Sequence, residues 1–178
     1  MHVQPSIVAL VSIRAALAED LPVLPQIEWA AGERFREVGM DEIADDEPLS
    51  LAELDVYRAA GRVWVHVEDG TPVAYLLMDV VDELVHIEQV SVHPRAAHRG
   101  IGRGLIEHLS DLSAGQSLVP LTLTTFRDVP WNAPYYARLG FLPFTMPGPQ
   151  LLEVRRQEAA QGLDRWPRVC MIRPAARR

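Results

Sequence analysis

The chain has 178 residues, 48% of them apolar, which is enough for a sizeable core and about the length of one domain. A formal net charge of −7 argues against a general nucleic-acid binder and suits a protein that attracts cationic substrates. A single cysteine, Cys170, excludes an internal disulfide and a cysteine-based metal site; no run approaches the roughly 18 apolar residues of a membrane helix, and the N-terminus lacks the basic flank of a signal peptide, so a cytoplasmic protein is expected.

Residues Ile7 to Ile13 read as a first strand. A helix is expected from Ala18-Glu19-Asp20 to about Val38, with Leu24, Ile27, Ala31 and Phe35 on one face, Pro22 and Pro25 in its first turns, and Gly39 ending it. Asp41 to Glu47 is an acidic loop, either a solvated surface or an electrostatic lip for a cationic substrate. Ser50 to Ala60 is a short helix, with Ser50 and Glu53 forming a capping box. Val63 to Glu68, Thr71 to Val80 and Leu84 to His93 make a three-stranded meander, and Asp69-Gly70 is its first hairpin turn.

In the third of these strands Val85 and Ile87 are apolar at odd positions, while Val90 and Val92 are apolar at even ones. Strand side chains alternate with period two, so this change of phase implies one extra residue, a β-bulge at Glu88-Gln89. A strand buried on both faces would explain the same pattern without a bulge.

The sequence His93-Pro94-Arg95-Ala96-Ala97-His98-Arg99-Gly100-Ile101-Gly102 follows, and then a helix with Ile101, Leu105, Leu109 and Leu112 on one stripe and Gly115 as its stop. Strand, glycine turn and helix form an arrangement that holds a pyrophosphate. The first-turn amides have no partner inside the helix, and the peptide dipoles leave partial positive charge there, worth roughly 0.3–2 kcal/mol to an anion. Gly100 and Gly102 have no Cβ to keep that anion off the backbone. All 17 basic residues are arginine, so the lysine of a nucleotide phosphate-binding loop is missing.

Beyond it, Leu118 to Phe126 is a strand, Asp128 to Trp131 a loop, and Asn132 the N-cap of a short helix closed by Gly140. Phe141 to Met146 is a strand, Pro147 to Pro149 a loop, Gln150 to Gly162 a helix, Arg168 to Ile172 a last strand, and 173–178 a tail. The expected fold class is α/β of the α+β type: a mixed, mostly antiparallel sheet of six to seven strands with helices on both faces.

Two blocks in register resemble the GNAT superfamily of N-acetyltransferases. One runs from Ile87 to Gly102 and resembles the acetyl-CoA motif Gln/Arg-x-x-Gly-x-Gly/Ala, with Ala97 where the family has Gln or Arg. The other is Asn132-Ala-Pro-Tyr135-Tyr136-Ala-Arg138-Leu139-Gly140-Phe141. The resemblance implies one acetyltransferase domain over 1–178 that uses acetyl-CoA and acetylates a primary amine of a small molecule or peptide, as a monomer or a homodimer.

It also implies residue roles. Val90, Ser91 and Val92 pair with the pantetheine arm, and Ala97, His98, Arg99, Gly100, Ile101, Gly102 and Arg103 surround the pyrophosphate, with Arg95 as a further basic neighbour. Asn132 reaches the coenzyme. Glu88 is the general base, acting directly or through water, with His86 and His66 as substitutes. Tyr136 protonates the departing thiolate and Tyr135 is the core tyrosine. Trp29, Glu33, Phe35, Tyr75 and Trp131, with Arg36 nearby, are expected to border the acceptor site. No metal is expected: His93 and His98 lack partners at zinc spacing. Cys170 reads as a small buried apolar side chain. A non-catalytic acyl-CoA-binding module is the alternative.

Overall fold

The computed structural model describes residues 12–115 and 120–175. Seven strands run in the chain order β1 (Ser12–Ala15), β2 (Val63–Glu68), β3 (Thr71–Val81), β4 (Leu84–Val92), β5 (Leu121–Phe126), β6 (Leu142–Pro143) and β7 (Arg168–Arg173). The helices are α1 (Leu24–Gly32), α2 (Asp41–Ala44), α3 (Leu51–Ala59), α4 (Ile101–Gly115), α5 (Ala133–Arg138) and α6 (Pro149–Ala160). One sheet holds all seven strands in the order β1-β2-β3-β4-β5-β7-β6, antiparallel except for the β4–β5 pair that α4 connects. The mixed sheet with flanking helices is the architecture expected from the order of elements.

Several local expectations need correction. Only the end of the Ile7–Ile13 strand lies within the described residues, and the strand there runs on to Ala15. The helix from Ala18 to Val38 is three pieces: a 3-10 turn at Ala18–Val23, then α1, then a second 3-10 turn at Glu33–Val38. Pro22 donates no backbone hydrogen bond and Gly32 favours helix weakly, so the segment cannot hold one regular ladder. The acidic loop begins as α2. The strand from Phe141 to Met146 shrinks to Leu142–Pro143, followed by one further bond to β7 from Phe144 N–H to Cys170 O at 2.8 Å. The Leu118–Phe126 strand begins at Leu121, and Leu118 falls outside the described residues. The Ser50 capping box forms as expected: Ser50 N–H donates to Glu53 Oε2 at 2.9 Å, and Glu53 N–H to Ser50 Oγ at 3.3 Å.

The bulge is present and its extra residue is Glu88. Leu77 on β3 faces Gln89, the next residue Met78 faces Ile87, and Glu88 has no partner across the ladder. Val85, Ile87, Val90 and Val92 therefore all turn toward one apolar layer, with Leu105, Ile106 and Leu109 of α4 and Phe141 after α5. The opposite face carries a second core, in which Leu24 and Ile27 of α1 and Leu54 of α3 cover Val63, Val65, Tyr75 and Leu77. α6 lies on this second face too, because its Glu158 bonds Thr124, which alternates with the core residues Leu121 and Leu123.

A strained turn fixes α6. Asp82 and Glu83, between β3 and β4, both take left-handed backbone angles (φ 52° and 61°). The Asp82 carboxylate accepts from the amides of Gln150 (2.9 Å) and Leu151 (3.0 Å), while Asp82 N–H donates to Gln150 Oε1 (2.7 Å). A Cβ on Gly148 would stand 2.4 Å from that carboxyl. Asp82→Ala should cost about 0.5–2 kcal/mol of stability, the usual worth of a helix cap. Gly148→Ala should cost a similar amount, and the double variant less than the sum, because both remove one cap. Urea denaturation of the three variants measures this; additive losses would show the cap and the glycine to be independent.

Candidate active site

β4 pairs with β5 only from Val85 to Ile87, opposite Leu121 to Leu123. The bulge follows at once, so from Glu88 to Val92 the side of β4 turned toward β5 carries no strand, although β5 continues to Phe126. Main-chain donors and acceptors along this edge are open to an extended ligand.

The edge leads into the glycine turn. Its first helical hydrogen bond runs from Gly104 N–H to Gly100 O at 2.9 Å, so the amides of Ile101, Gly102 and Arg103 precede the ladder and have no helical partner. His98 (φ 60°) and Gly100 (φ 76°) are both left-handed, which folds the chain sharply before α4. A Cβ on Gly100 would meet nothing within 4 Å, so this residue is glycine for its backbone angle and its outer face is clear. Gly102 differs from the expectation. A Cβ there would lie 3.3 Å from the Tyr135 hydroxyl, 3.5 Å from Val92 and 3.8 Å from Val90, so its smallness serves close packing of helix on strand. His98, Arg99 and Arg103 are exposed around the turn. Arg99 makes a paired contact with Glu68 of β2 (2.7 and 3.1 Å), which ties the turn to the sheet. His66 lies under that pair, 3.7 Å from Glu68, and burial lowers its pKa.

On the other face of β4 a cleft of about 650 Å³ opens between α1–α2 and the end of α6. Glu88 and Gln89 line it, and so do Glu28, Asp46, Glu47, Tyr57 and Trp166. Burial, followed by the charges of Asp79 and Glu158, pushes the Glu88 carboxyl up to about 7. Its side chain reaches the open cleft, yet neighbouring protein crowds the carboxyl and leaves it less hydrated than in bulk water. Burial also raises Tyr57, and the charge of Glu88 adds to it. Behind Glu88, Glu158 is held by Arg168 (2.7 Å), Arg155 and Thr124. Burial opposes its charge, but these partners outweigh that and keep its carboxyl below the usual range.

The other expected residues divide. His86 is buried against Thr122 Oγ1 (2.9 Å), and burial pushes it down to about 4, leaving it neutral at pH 7 and off the cleft wall. Tyr136 stacks edge-on against Phe141, and burial raises its pKa, so its phenol keeps its proton. Tyr135 is half-buried and packs its hydroxyl against Gly102 at the turn. Asn132 holds the N-cap position, and its backbone oxygen accepts from Tyr135 and Tyr136, but its side chain makes no cap. Its amide donates to Thr125 Oγ1 (2.7 Å) instead, leaving Oδ1 buried without a partner. Ser91 is buried and accepts from Gln89 (2.8 Å). Cys170 is half-buried on β7 and its thiol pKa is raised by burial.

None of the five expected acceptor residues lines the cleft. Trp29 is exposed elsewhere, and Glu33 pairs with Arg36 (3.1 Å). Phe35 packs edge-on against Phe126 and Trp131, and Arg34 covers the Trp131 ring at 3.8 Å. Tyr75 is fully buried and reaches the cleft only through its hydrogen bond to Glu28. The aromatic walls are Tyr57 and Trp166, from segments whose sequence carries no site motif. Among the described residues no three metal-ligating side chains come together, and no helix is long and apolar enough to cross a membrane.

The family model of the acetyltransferase (GNAT) family matches residues 24–141, which span α1 to the end of the second sequence block. The chain belongs to the GNAT acetyltransferase family. Its seven-stranded mixed fold matches GNAT structures. It is similar to the ribosomal-protein-S18-alanine N-acetyltransferase of Escherichia coli, with 19% identity, 95% of this chain and 96% of that one covered, and a TM-score of 0.65. It is also similar to the PaiA N-acetyltransferase of Thermoplasma acidophilum, solved with coenzyme A, with 14% identity, 92% and 98% covered, and a TM-score of 0.68. A GNAT acetyltransferase of Brucella melitensis, solved with acetyl-CoA, shares 26% identity over 79% of this chain and 92% of that one, at a TM-score of 0.52.

The raised Glu88 and the lowered His86 give opposite pH dependences. Glu88 binds its proton more tightly when folded, so the stability it contributes is present below about 4.5 and lost as pH rises through about 7. His86 contributes stability that is full above 6.5 and lost as pH falls toward about 4. Glu88→Gln should therefore be more stable than wild type at about pH 8 and gain little at about pH 5. Denaturation midpoints at the two pH values measure it; equal gains at both would mean that the carboxyl is not perturbed.

Proposed function

We propose that this chain is an acetyl-CoA-dependent N-acetyltransferase that acts on a primary amine of a small molecule or peptide by direct attack in a ternary complex, with 1–178 working as one domain. The observation that carries the reading is the bulge: it leaves Glu88 unpaired at the point where one side of β4 opens and a cleft begins on the other.

The residues present fit coenzyme A. The open edge at Val90 and Val92 offers main chain to an extended pantetheine arm, and the free amides of Ile101, Gly102 and Arg103 offer donors to a pyrophosphate. Ala97 contributes backbone only, so Arg95 and Arg103 supply the local positive charge, while Arg99 is held by Glu68. Asn132 Oδ1 is a buried acceptor with no partner, which suits a donor on the coenzyme. Bound acetyl-CoA supplies the acetyl group as a thioester.

An alkyl ammonium has a pKa near 10.4, so at pH 7 only about one molecule in a thousand is a free amine. Glu88, titrating at about 7, is suited to take that proton, directly or through water. The amine nitrogen gains the bond to the acetyl carbon as the carbon–sulfur bond breaks. Tyr136, protonated because burial disfavours its phenolate, donates a proton to the leaving sulfur.

A non-catalytic acyl-CoA-binding module is the second reading, favoured by Ala97 at the first motif position. The raised pKa of Glu88 weighs against it, since a pure binding site has no use for a tuned base. Kinetics separate the two. With a mixed amine panel, kcat/KM should rise with pH through about 7 and then level, as Glu88 loses its proton. Glu88→Gln should remove this limb and lower the rate by about a hundredfold or more. Tyr136→Phe should lower kcat while acetyl-CoA affinity stays nearly intact. Tight acetyl-CoA binding without turnover of any amine would leave the binding module as the reading.

A further inference from the structure

The cleft carries more carboxylates than basic side chains. At about 650 Å³ it has room well beyond a single amine headgroup. Arg165 is the one basic residue among the described lining residues, and it is already paired across the cleft with Glu42. Arg36 similarly takes up Glu33, Asp41 and Asp45. Glu28, Asp46, Glu47 and Glu88 line the cleft with no ion-pair partner among the described residues.

Glu28 is the fixed member of this set. It projects from α1, and its Oε2 accepts from the hydroxyl of Tyr75, which is itself fully buried in the core. Oε1 makes no hydrogen bond within the described residues. Burial raises the Glu28 carboxyl, the phenol's hydrogen bond partly offsets this, and the charge of Asp46 raises it further. A carboxylate desolvated, oriented and repelled by a neighbour, on the wall of an open cleft, gains most from a ligand cation. Glu88 lies on a separate wall, contributed by β4.

We propose that the acceptor is a linear diamine, one amine reacting at Glu88 while the other stays an ammonium held by Glu28 and Asp46. This rests on the acetyl-transfer reading above. The reacting nitrogen gives its proton to Glu88 or water and forms the amide, while the distal ammonium keeps its protons. Tyr75 is a positioning residue that acts through Glu28.

Initial rates of thiol release with diaminobutane, butylamine and aminobutyrate test the proposal. Diaminobutane should exceed butylamine in kcat/KM by about tenfold, and aminobutyrate should be the poorest. Glu28→Gln should raise KM for diaminobutane about tenfold with a smaller change in kcat, and bring the diamine preference toward one. Tyr75→Phe should act in the same direction more weakly. Asp46→Asn, on an exposed segment, should lower the preference too and serves if a core variant fails to fold. Equal use of the three amines, or a preference that survives Glu28→Gln and Asp46→Asn, overturns the inference and leaves acetyl transfer standing. Calorimetric titration with acetyl-CoA alone is the control: no binding overturns the transfer reading, and the diamine with it.

Discussion

A strand keeps its hydrogen bonds to both neighbours only while its pleat stays in phase with theirs, and β4 leaves that phase at Glu88. The consequences spread from this one residue. Pairing with β5 stops at Ile87, which exposes an edge of main chain. Val90 and Val92 return to the α4 face and pack against Gly102, which sets how closely the glycine turn approaches that edge. Gln89 and Ser91 turn the other way, toward Tyr75 and the cleft. The bulge thus puts two different surfaces, one rich in backbone amides and one rich in carboxylates, on either side of a single strand.

The carboxylate surface carries a thermodynamic cost. Glu88 stands near Asp79 and Glu158, and Glu158 stays ionised because two arginines and a threonine hold it. The same ion cluster that ties α6 to β7 therefore keeps Glu88 reluctant to ionise. Such a carboxyl lowers stability at neutral pH and is well poised to exchange a proton there, a common tension at catalytic sites. Glu28 repeats the pattern on a second wall, with the difference that a phenol's hydrogen bond partly offsets the burial of its carboxyl.

The aromatic residues show where reading along the chain misleads. Trp29, Phe35 and Trp131 resemble site residues because they lie near the first helix and the second motif. In the fold, Phe35 and Trp131 join Phe126 and Trp166 in a small cluster that supports the outer end of the sheet. Of these four only Trp166 also lines the cleft, and it follows α6 far along the sequence. Tyr57, the other aromatic wall, comes from an amphipathic helix whose pattern marks nothing but a core-facing stripe. A helix presents one face to the core and another to a cavity, and spacing alone does not say which cavity is there.

The order of elements, the Ser50 cap, the phase change in β4, and the glycine turn with its helix are legible along the chain. These are local matters: periodicity, caps and turn residues act within a few positions, and the bulge shows because an apolar layer must lie on both sides of it. Both family motifs are local in the same sense. Other features arise from three-dimensional packing: the Ala18–Val38 segment breaks into three, the Asn132 side chain bonds Thr125 instead of capping α5, Gly102 serves packing, and Glu28 rather than Glu33 faces the cleft. Each of these depends on side chains brought together from separate segments. Burial and long-range charge, the two influences that raise Glu88 and Glu28, exist only once the sheet has closed and the helices have settled on it.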